Sequence, residues 1–467
     1  MRHFTLRDRG RGWLKLHSCA ICLLLAVAGT ANGQAPGEPA GQTSPVAGAP
    51  VSITLDEAMK RAEANEPAFA ASLADSKVAA LDRSIARAGL LPSAVYHNQA
   101  LYTQPLRPAN QSGQGGASSS SPIFIANNAV REYSSQAVVN ETVGLGQLAG
   151  MRHADAAAAH AAAELEIARR GLRATVIGLF YGSIAAENKL AAIERAHHEA
   201  VELGILTGKR EQAREAAHAD VVKAQLQEQQ RKRDLSDAKL AAEKAKLELG
   251  VLLFADPRTP YTLVAAEGAQ ELPVRGEVDR AAAKNNPELK SALAVLGEGN
   301  AEVLAARAAY LPDLAFNYTY GIDAPQFATY GPAPDHLRNL GYSASVTVDI
   351  PVWDWFSTQH KLKQSELRRD AARVALTATQ RRLIARLDEA YSEAAAARDQ
   401  LASLDDSVAT ARESLRLTKL RYTGGEATVL EVVDAQSALV GAETAREEGR
   451  VRYQSARADL ETLTGTM

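Results

Sequence analysis

The chain reads Ala64-Asn65-Glu66-Pro67-Ala68 and, 220 residues later, Lys284-Asn285-Asn286-Pro287-Glu288. The same offset carries Ala86-Arg87-Ala88-Gly89-Leu90-Leu91-Pro92 onto Ala306-Arg307-Ala308-Ala309-Tyr310-Leu311-Pro312. Glu57, Asn65, Arg87, Ala88 and Leu91 all recur in this register, which chance does not explain. Further on, Asp220-Val221-Val222-Lys223-Ala224-Gln225 is echoed by Glu431-Val432-Val433-Asp434-Ala435-Gln436 at a slightly shorter offset, as a difference in loop length would produce. The chain is therefore expected to hold two copies of one unit, residues 51–255 and 277–467, joined by a linker or equatorial segment at 256–276.

Each unit has one grammar. A helix runs up to Leu-Pro, because proline disfavours helix at the residue before it. A strand, a polar Gly/Ser/Pro-rich loop and a second strand follow, and then two long helices joined by a short turn. In the second unit Leu314, Phe316, Tyr318, Tyr320 and Ile322 alternate with Asp313, Ala315, Asn317, Thr319 and Gly321. Tyr342, Ala344, Val346, Val348 and Ile350 alternate with Ser343, Ser345, Thr347 and Asp349. Period-two alternation over about ten residues is what a barrel strand between lipid and lumen requires. The first unit repeats the pattern more weakly at Ser93–Thr103 and Ser134–Val143. Ser357 to Lys419 contains neither Pro nor Gly and is rich in helix formers, which predicts a rod on the order of 90 Å. Such a rod needs neighbours along its whole length, as in a coiled coil or helical barrel.

Composition agrees. Aromatic content is 5%, low for one compact core, and much of the 46% hydrophobic content is alanine, which suits close side-by-side helices. At the N-terminus, Arg2, Arg7, Arg9, Arg11 and Lys15 precede the apolar run Cys19–Ala28 and the small residues Ala31-Asn32-Gly33. This order marks residues 1–33 as an expected signal peptide, followed by a flexible linker at 34–50. Cys19 and Cys22 would leave with it, and with them disulfide and thiolate chemistry. Removing its net +4 takes the formal charge from −3 to −7, which argues against nucleic-acid binding. The remainder has no apolar run long enough to cross a membrane as a helix, so any crossing must be made by strands in a closed barrel. Four strands do not close one; known bacterial outer-membrane barrels begin at about eight. The closed form must be a multiple of four strands, and three copies supply twelve.

Thr54-Leu-Asp-Glu-Ala, Asn65-Glu-Pro67, Arg87-Ala-Gly-Leu-Leu-Pro92 and Arg421-Tyr-Thr-Gly-Gly-Glu-Ala-Thr-Val-Leu-Glu-Val-Val-Asp-Ala-Gln436 resemble the TolC-like outer-membrane efflux family. The resemblance spans nearly the whole chain beyond residue 50 and appears in both units. It implies an α + β membrane protein: four transmembrane strands per chain in a homotrimeric twelve-stranded β-barrel, continued by a long α-helical coiled-coil barrel in the periplasm. It implies a passive exit duct, set in outer-membrane lipid, that meets a periplasmic adaptor protein and an inner-membrane transporter. It places adaptor docking at the turn Thr423-Gly424-Gly425-Glu426, and a pore entrance at Asp220, Glu431 and Asp434. The i, i+3 spacing of Glu431 and Asp434 puts both on one helix face, where symmetry would stack them as anionic rings. Two positions depart from the family: Ala427 stands where an arginine latches the closed tip, and Arg214 stands where glycine is usual.

Other chemistry is not indicated. His153 and His160 share a helix face near Asp155, but polar helix surface explains them better than a metal site. No HExxH, GxSxG or phosphate-binding glycine loop is present, so neither an enzyme nor a cofactor is expected. Gly113–Ser121 reads as a loop between strands. Trp353, Trp355 and Phe356 follow the last strand, at a membrane interface or, as favoured here, packed at the barrel–helix junction. A coiled-coil structural protein of the periplasm or cell surface accounts for the helices but not for the alternating strands.

Overall fold

The computed structural model describes residues 51–102, 131–264, 271–324, 326–331 and 338–465. The expected signal peptide, linker and Gly113–Ser121 loop lie outside the described residues. The first half runs β1 (Val51–Thr54), α1 (Leu55–Asn65), α2 (Pro67–Ala88), β2 (Ser93–Tyr102), β3 (Arg131–Val143), α3 (Leu145–Gln212), α4 (His218–Leu253) and β4 (Tyr261–Val264). The second runs α5 (Arg275–Asn285), α6 (Pro287–Ala308), β5 (Asp313–Ala324), β6 (Leu340–Asp349), α7 (Ser357–Thr423) and α8 (Val429–Thr464). Corresponding helices agree in length: 11 and 11, 22 and 22, 68 and 67, 36 and 36 residues. At about 1.5 Å per residue α3 and α7 are each roughly 100 Å long.

Local chemistry sets the boundaries. Pro67 and Pro287 occupy the first turns of α2 and α6, where a missing N–H costs nothing. Asn286 caps α6 by accepting from Leu289 N at 2.8 Å, and its amide donates to Leu463 O at 3.3 Å, so this buried side chain is satisfied on both sides.

Four of the strands form an antiparallel sheet in the order β2-β3-β5-β6, so the two halves join at its centre through β3 and β5. The helices follow the same order: α2 packs on α3, α3 on α6, and α6 on α7. Each strand is the continuation of a helix in the layer beside it. Beyond the equator α4 lies on α3, and α8 lies on both α3 and α7. Arg170 ties the halves together, donating to Glu166 (2.7 Å), Thr462 O (3.1 Å) and Asn285 O (3.3 Å).

Two apolar cores sit at the equator, and they are the same core twice. Ala58 and Ala62 of α1 meet Val176, Phe180, Leu249 and Leu253. Their counterparts 220 residues on, Val278 and Ala282 of α5, meet Leu383, Leu387, Leu460 and Leu463. In the segment 256–276, β4 pairs in parallel with β1, Val51 opposite Tyr261, so that this stretch contributes a strand to the first core.

Phe180 is fully buried, its ring edge-on to Tyr181 at 5.5 Å. Phe180→Ala is expected to destabilise the first equatorial core by about 3–5 kcal/mol, read as a lower unfolding midpoint of the detergent-solubilised protein.

Candidate functional site

The sheet has two unlike faces, set by register. Tyr96, Ala137, Tyr320 and Tyr342 lie opposite one another across the four strands, as do Ala94, Val139, Tyr318 and Ala344. One residue along, the rows read Val95, Val138, Thr319 and Ser343, then Ser93, Asn140, Asn317 and Ser345. The first face is largely aromatic and aliphatic; Tyr342, Val346 and Phe316 on it are exposed. The second is largely polar and internally bonded, with Asn317 Nδ2 donating to Asn140 Oδ1 at 2.6 Å. Polar groups on the apolar face are partly answered: the Ser135 hydroxyl meets Asn98 Oδ1 (2.7 Å) and the Tyr96 hydroxyl (2.9 Å). Glu141 also falls on this face, beside Phe316. No described helix is long and apolar enough to cross a membrane.

At the far end of the long helices, two turns share one backbone. Gly424 N, Gly425 N and Glu426 N donate to Leu420 O, Tyr422 O and Arg421 O at 3.1, 3.1 and 2.8 Å. Ala213 N, Arg214 N and Glu215 N donate to Lys209 O, Glu211 O and Arg210 O at 3.0, 2.8 and 2.7 Å. Both turns need a left-handed residue. Gly425 provides it at φ 80° without penalty, whereas Arg214 adopts φ 65° with a full side chain, at about 1–2 kcal/mol.

The caps differ too. Thr428 and Glu431 form a reciprocal capping box at the start of α8, whereas Ala217 caps α4 with no side-chain bond. Glu431 accepts from Thr428 N (3.0 Å) and Thr428 Oγ1 (3.2 Å), and lies 3.4 Å from Arg421. The Thr428 bonds, and then the Arg421 charge, hold its carboxyl below the usual carboxylate range. Asp434 is exposed and makes no ion pair among the described residues. Asp220 lies 3.7 Å from Lys223, which occupies the place that Asp434 has in the second half. Thr423, Gly424, Gly425 and Glu426 are all exposed at the turn.

Sequence reasoning passed over the group that joins these two hairpins. Tyr422 is buried in a small core with Leu203, Ala224, Val429 and Val432. Its hydroxyl meets the buried Thr207 hydroxyl at 3.0 Å. Arg210 donates to Tyr422 O at 2.7 Å and lies over the Tyr422 ring at 5.0 Å. The repeat held a signal, since Arg210 and Arg421 occupy equivalent positions of the two turns.

With this geometry in view, similarities carry weight. Residues 280–466 match the family model described as outer membrane efflux protein. The fold matches the Campylobacter jejuni CmeC outer membrane channel with a TM-score of 0.71 at 16% identity, over 88% of this chain and 85% of that one. Over residues 280–466 the chain is similar to the outer membrane efflux protein family. Among curated relatives, outer membrane protein OprJ of Pseudomonas aeruginosa is 25% identical over 177 residues, 38% of this chain and 36% of OprJ. The alkaline protease secretion protein AprF of the same species is 25% identical over 189 residues, 39% of each chain. The chain thus spans well under half the length of these two curated relatives.

The histidines considered above do not converge. Asp155 is held by Arg83 (2.7 Å) and Arg87 (3.0 Å), while His160 faces Glu298 (3.2 Å) on α6. Trp353, Trp355 and Phe356 stand at the β6–α7 junction, but they pack on one another and are exposed, where packing into the junction was expected.

Arg214→Gly is expected to stabilise the α3–α4 turn by about 1 kcal/mol by removing left-handed strain, read as a slower amide exchange at residues 210–218.

Proposed function

We propose that the protein is an outer membrane efflux protein, a homotrimeric duct that gives cargo passive exit across the outer membrane. The observation that carries the proposal is the four-stranded sheet with an apolar face, a polar face and two edges, β2 and β6, that are unpaired among the described residues. An unpaired edge is not tolerated in lipid, so the sheet must close with copies of itself, and three copies supply a twelve-stranded barrel. Apolar stripes along the edge helices support the same closure: Val78, Leu81 and Ile85 on α2, and Leu367 and Val374 on α7, are exposed. In that arrangement the apolar face meets outer-membrane lipid, the polar face lines the lumen, and the long helices extend the tube through the periplasm. The mature chain would start after a cleaved signal peptide at 1–33, with the efflux repeats at 51–255 and 277–467.

The partners follow from this shape and from the relatives. Such a tube takes cargo from an inner-membrane transporter through a periplasmic adaptor, in a tripartite efflux pump or a type I secretion system. The turn Thr423–Glu426 is the proposed adaptor contact, and Asp220, Glu431 and Asp434 are the proposed entrance residues. The second half carries most of the entrance charge, because Lys223 offsets Asp220.

The test is single-channel conductance in planar bilayers, comparing wild type with Glu431→Gln/Asp434→Asn. Glutamine suits the third helical position of a capping box, so the double variant removes charge while keeping α8 capped. Discrete cation-selective openings, with selectivity weakened in the variant and unfolding unchanged, are expected. A folded oligomer that never inserts would overturn the duct.

A further inference from the structure

The polar face of the four-stranded sheet carries an imidazole that no role above uses. Across β2, β3, β5 and β6 successive rows of that face read Ser93, Asn140, Asn317 and Ser345, then Val95, Val138, Thr319 and Ser343, then His97, Gln136, Gly321 and Gly341. The row after these holds Gln99, Ser134 and Asp323. At the helical end the face finishes with Asp313 opposite Asp349. Hydroxyls and amides thus fill the middle, and carboxylates stand towards both ends. Among the described residues of these strands, His97 alone on this face can take up positive charge.

The row around His97 is open. A Cβ on Gly321 would run into Ser135 O and Gln136 Cα, so this position accepts only glycine, while the space above Gly341 is empty. Two of the four residues therefore project nothing, and His97 and Gln136 are the side chains of that row. His97 is exposed. It is flanked by Val95 and Gln99 on its own strand, faces Gln136, and has Ser134 and Val138 on the diagonals, none of them charged. Asp323 lies two strands across and two residues along, roughly 12 Å away by strand spacing. On the other side of β2, the polar face of β6 from a second copy would bring Gly341, Ser343, Ser345, Thr347 and one charge, Asp349.

We propose that His97 sets the charge of the barrel lumen, and with it the ion preference of the passage through the membrane, according to pH. The inference rests on the proposed duct, whose lumen the polar face lines. Twelve strands tilted by about 40° enclose a lumen whose wall stands about 12 Å from the axis, so three copies of His97 form one ring at one height. Histidine changes charge between about pH 5 and pH 8. In alkaline solution the ring is neutral and the wall carboxylates favour cations. In acid the ring is positive, and it opposes cations and admits anions. This control lies in the barrel, apart from the entrance residues Asp220, Glu431 and Asp434.

The test is the reversal potential of the full chain in planar bilayers under a potassium chloride gradient, read at about pH 8 and about pH 5.5. At about 0.01 M salt the Debye length is about 30 Å and wall charges act across the lumen; at about 1 M it is about 3 Å and they do not. At low salt the wild type is expected to lose about threefold of its cation preference on acidification, and much less at high salt. His97→Gln, neutral throughout, is expected to lose this response, and His97→Lys to show the low preference at both pH values. An equal response in wild type and His97→Gln would overturn the proposal. A response that vanishes in Glu431→Gln/Asp434→Asn, with His97 intact, would place it at the entrance and overturn the proposal too. So would a response undiminished by high salt, which would mark a change of shape in place of wall charge. Each of these results leaves a conducting duct standing. A folded oligomer that never conducts would remove the duct, and the lumen with it.

Discussion

An unpaired backbone N–H or C=O is tolerable in water and costly in lipid, and the proposed closure of the sheet rests on that condition. The sheet satisfies its interior by three antiparallel pairings, including the β3–β5 ladder between halves, and leaves β2 and β6 open. Helices satisfy their own backbones, so α2 and α7 tolerate open edges more readily, but their apolar stripes impose the same demand by another route. Because each strand continues a helix in the same lateral order, the proposed closure would serve both layers at once.

The two halves match in their cores and far turns and differ in how those turns are held. Both equatorial cores use equivalent positions of α1 and α5, and both far turns make the same three backbone hydrogen bonds. The second turn has Gly425 and a capping box. The first has a left-handed Arg214 and a cap without side-chain bonds. Each difference weakens the first turn, so local opening is easier there than at the α7–α8 turn. The Thr207–Tyr422–Arg210 group opposes this by tying the strained hairpin to the well-capped one.

Glu431 shows how one carboxylate serves two ends. It completes a helix cap and meets Arg421, which accounts for its lowered pKa without any pore. It also stands one helical turn from the exposed Asp434. A capping role does not exclude an electrostatic one, since a side chain fixed by its cap presents its charge at a defined place.

Much of this was legible in the residues alone. The 220-residue offset, the absence of Pro and Gly between Ser357 and Lys419, and the alternation in Leu314–Ile322 depend on local sterics and on period, which a linear sequence records directly. They predict the long helices and the strands found in the structure. Other features depend on which atoms meet across more than a hundred residues, and no local pattern encodes that. The pairing of β1 with β4 placed a strand in a stretch that reads as linker, because four residues in isolation have too little periodicity to declare themselves. The burial of Tyr422 against Thr207, the pinning of both halves by Arg170, and the outward rings of Trp353 and Trp355 likewise arose only when distant helices and strands were brought side by side. Sequence settles what a segment can become; packing decides what it touches.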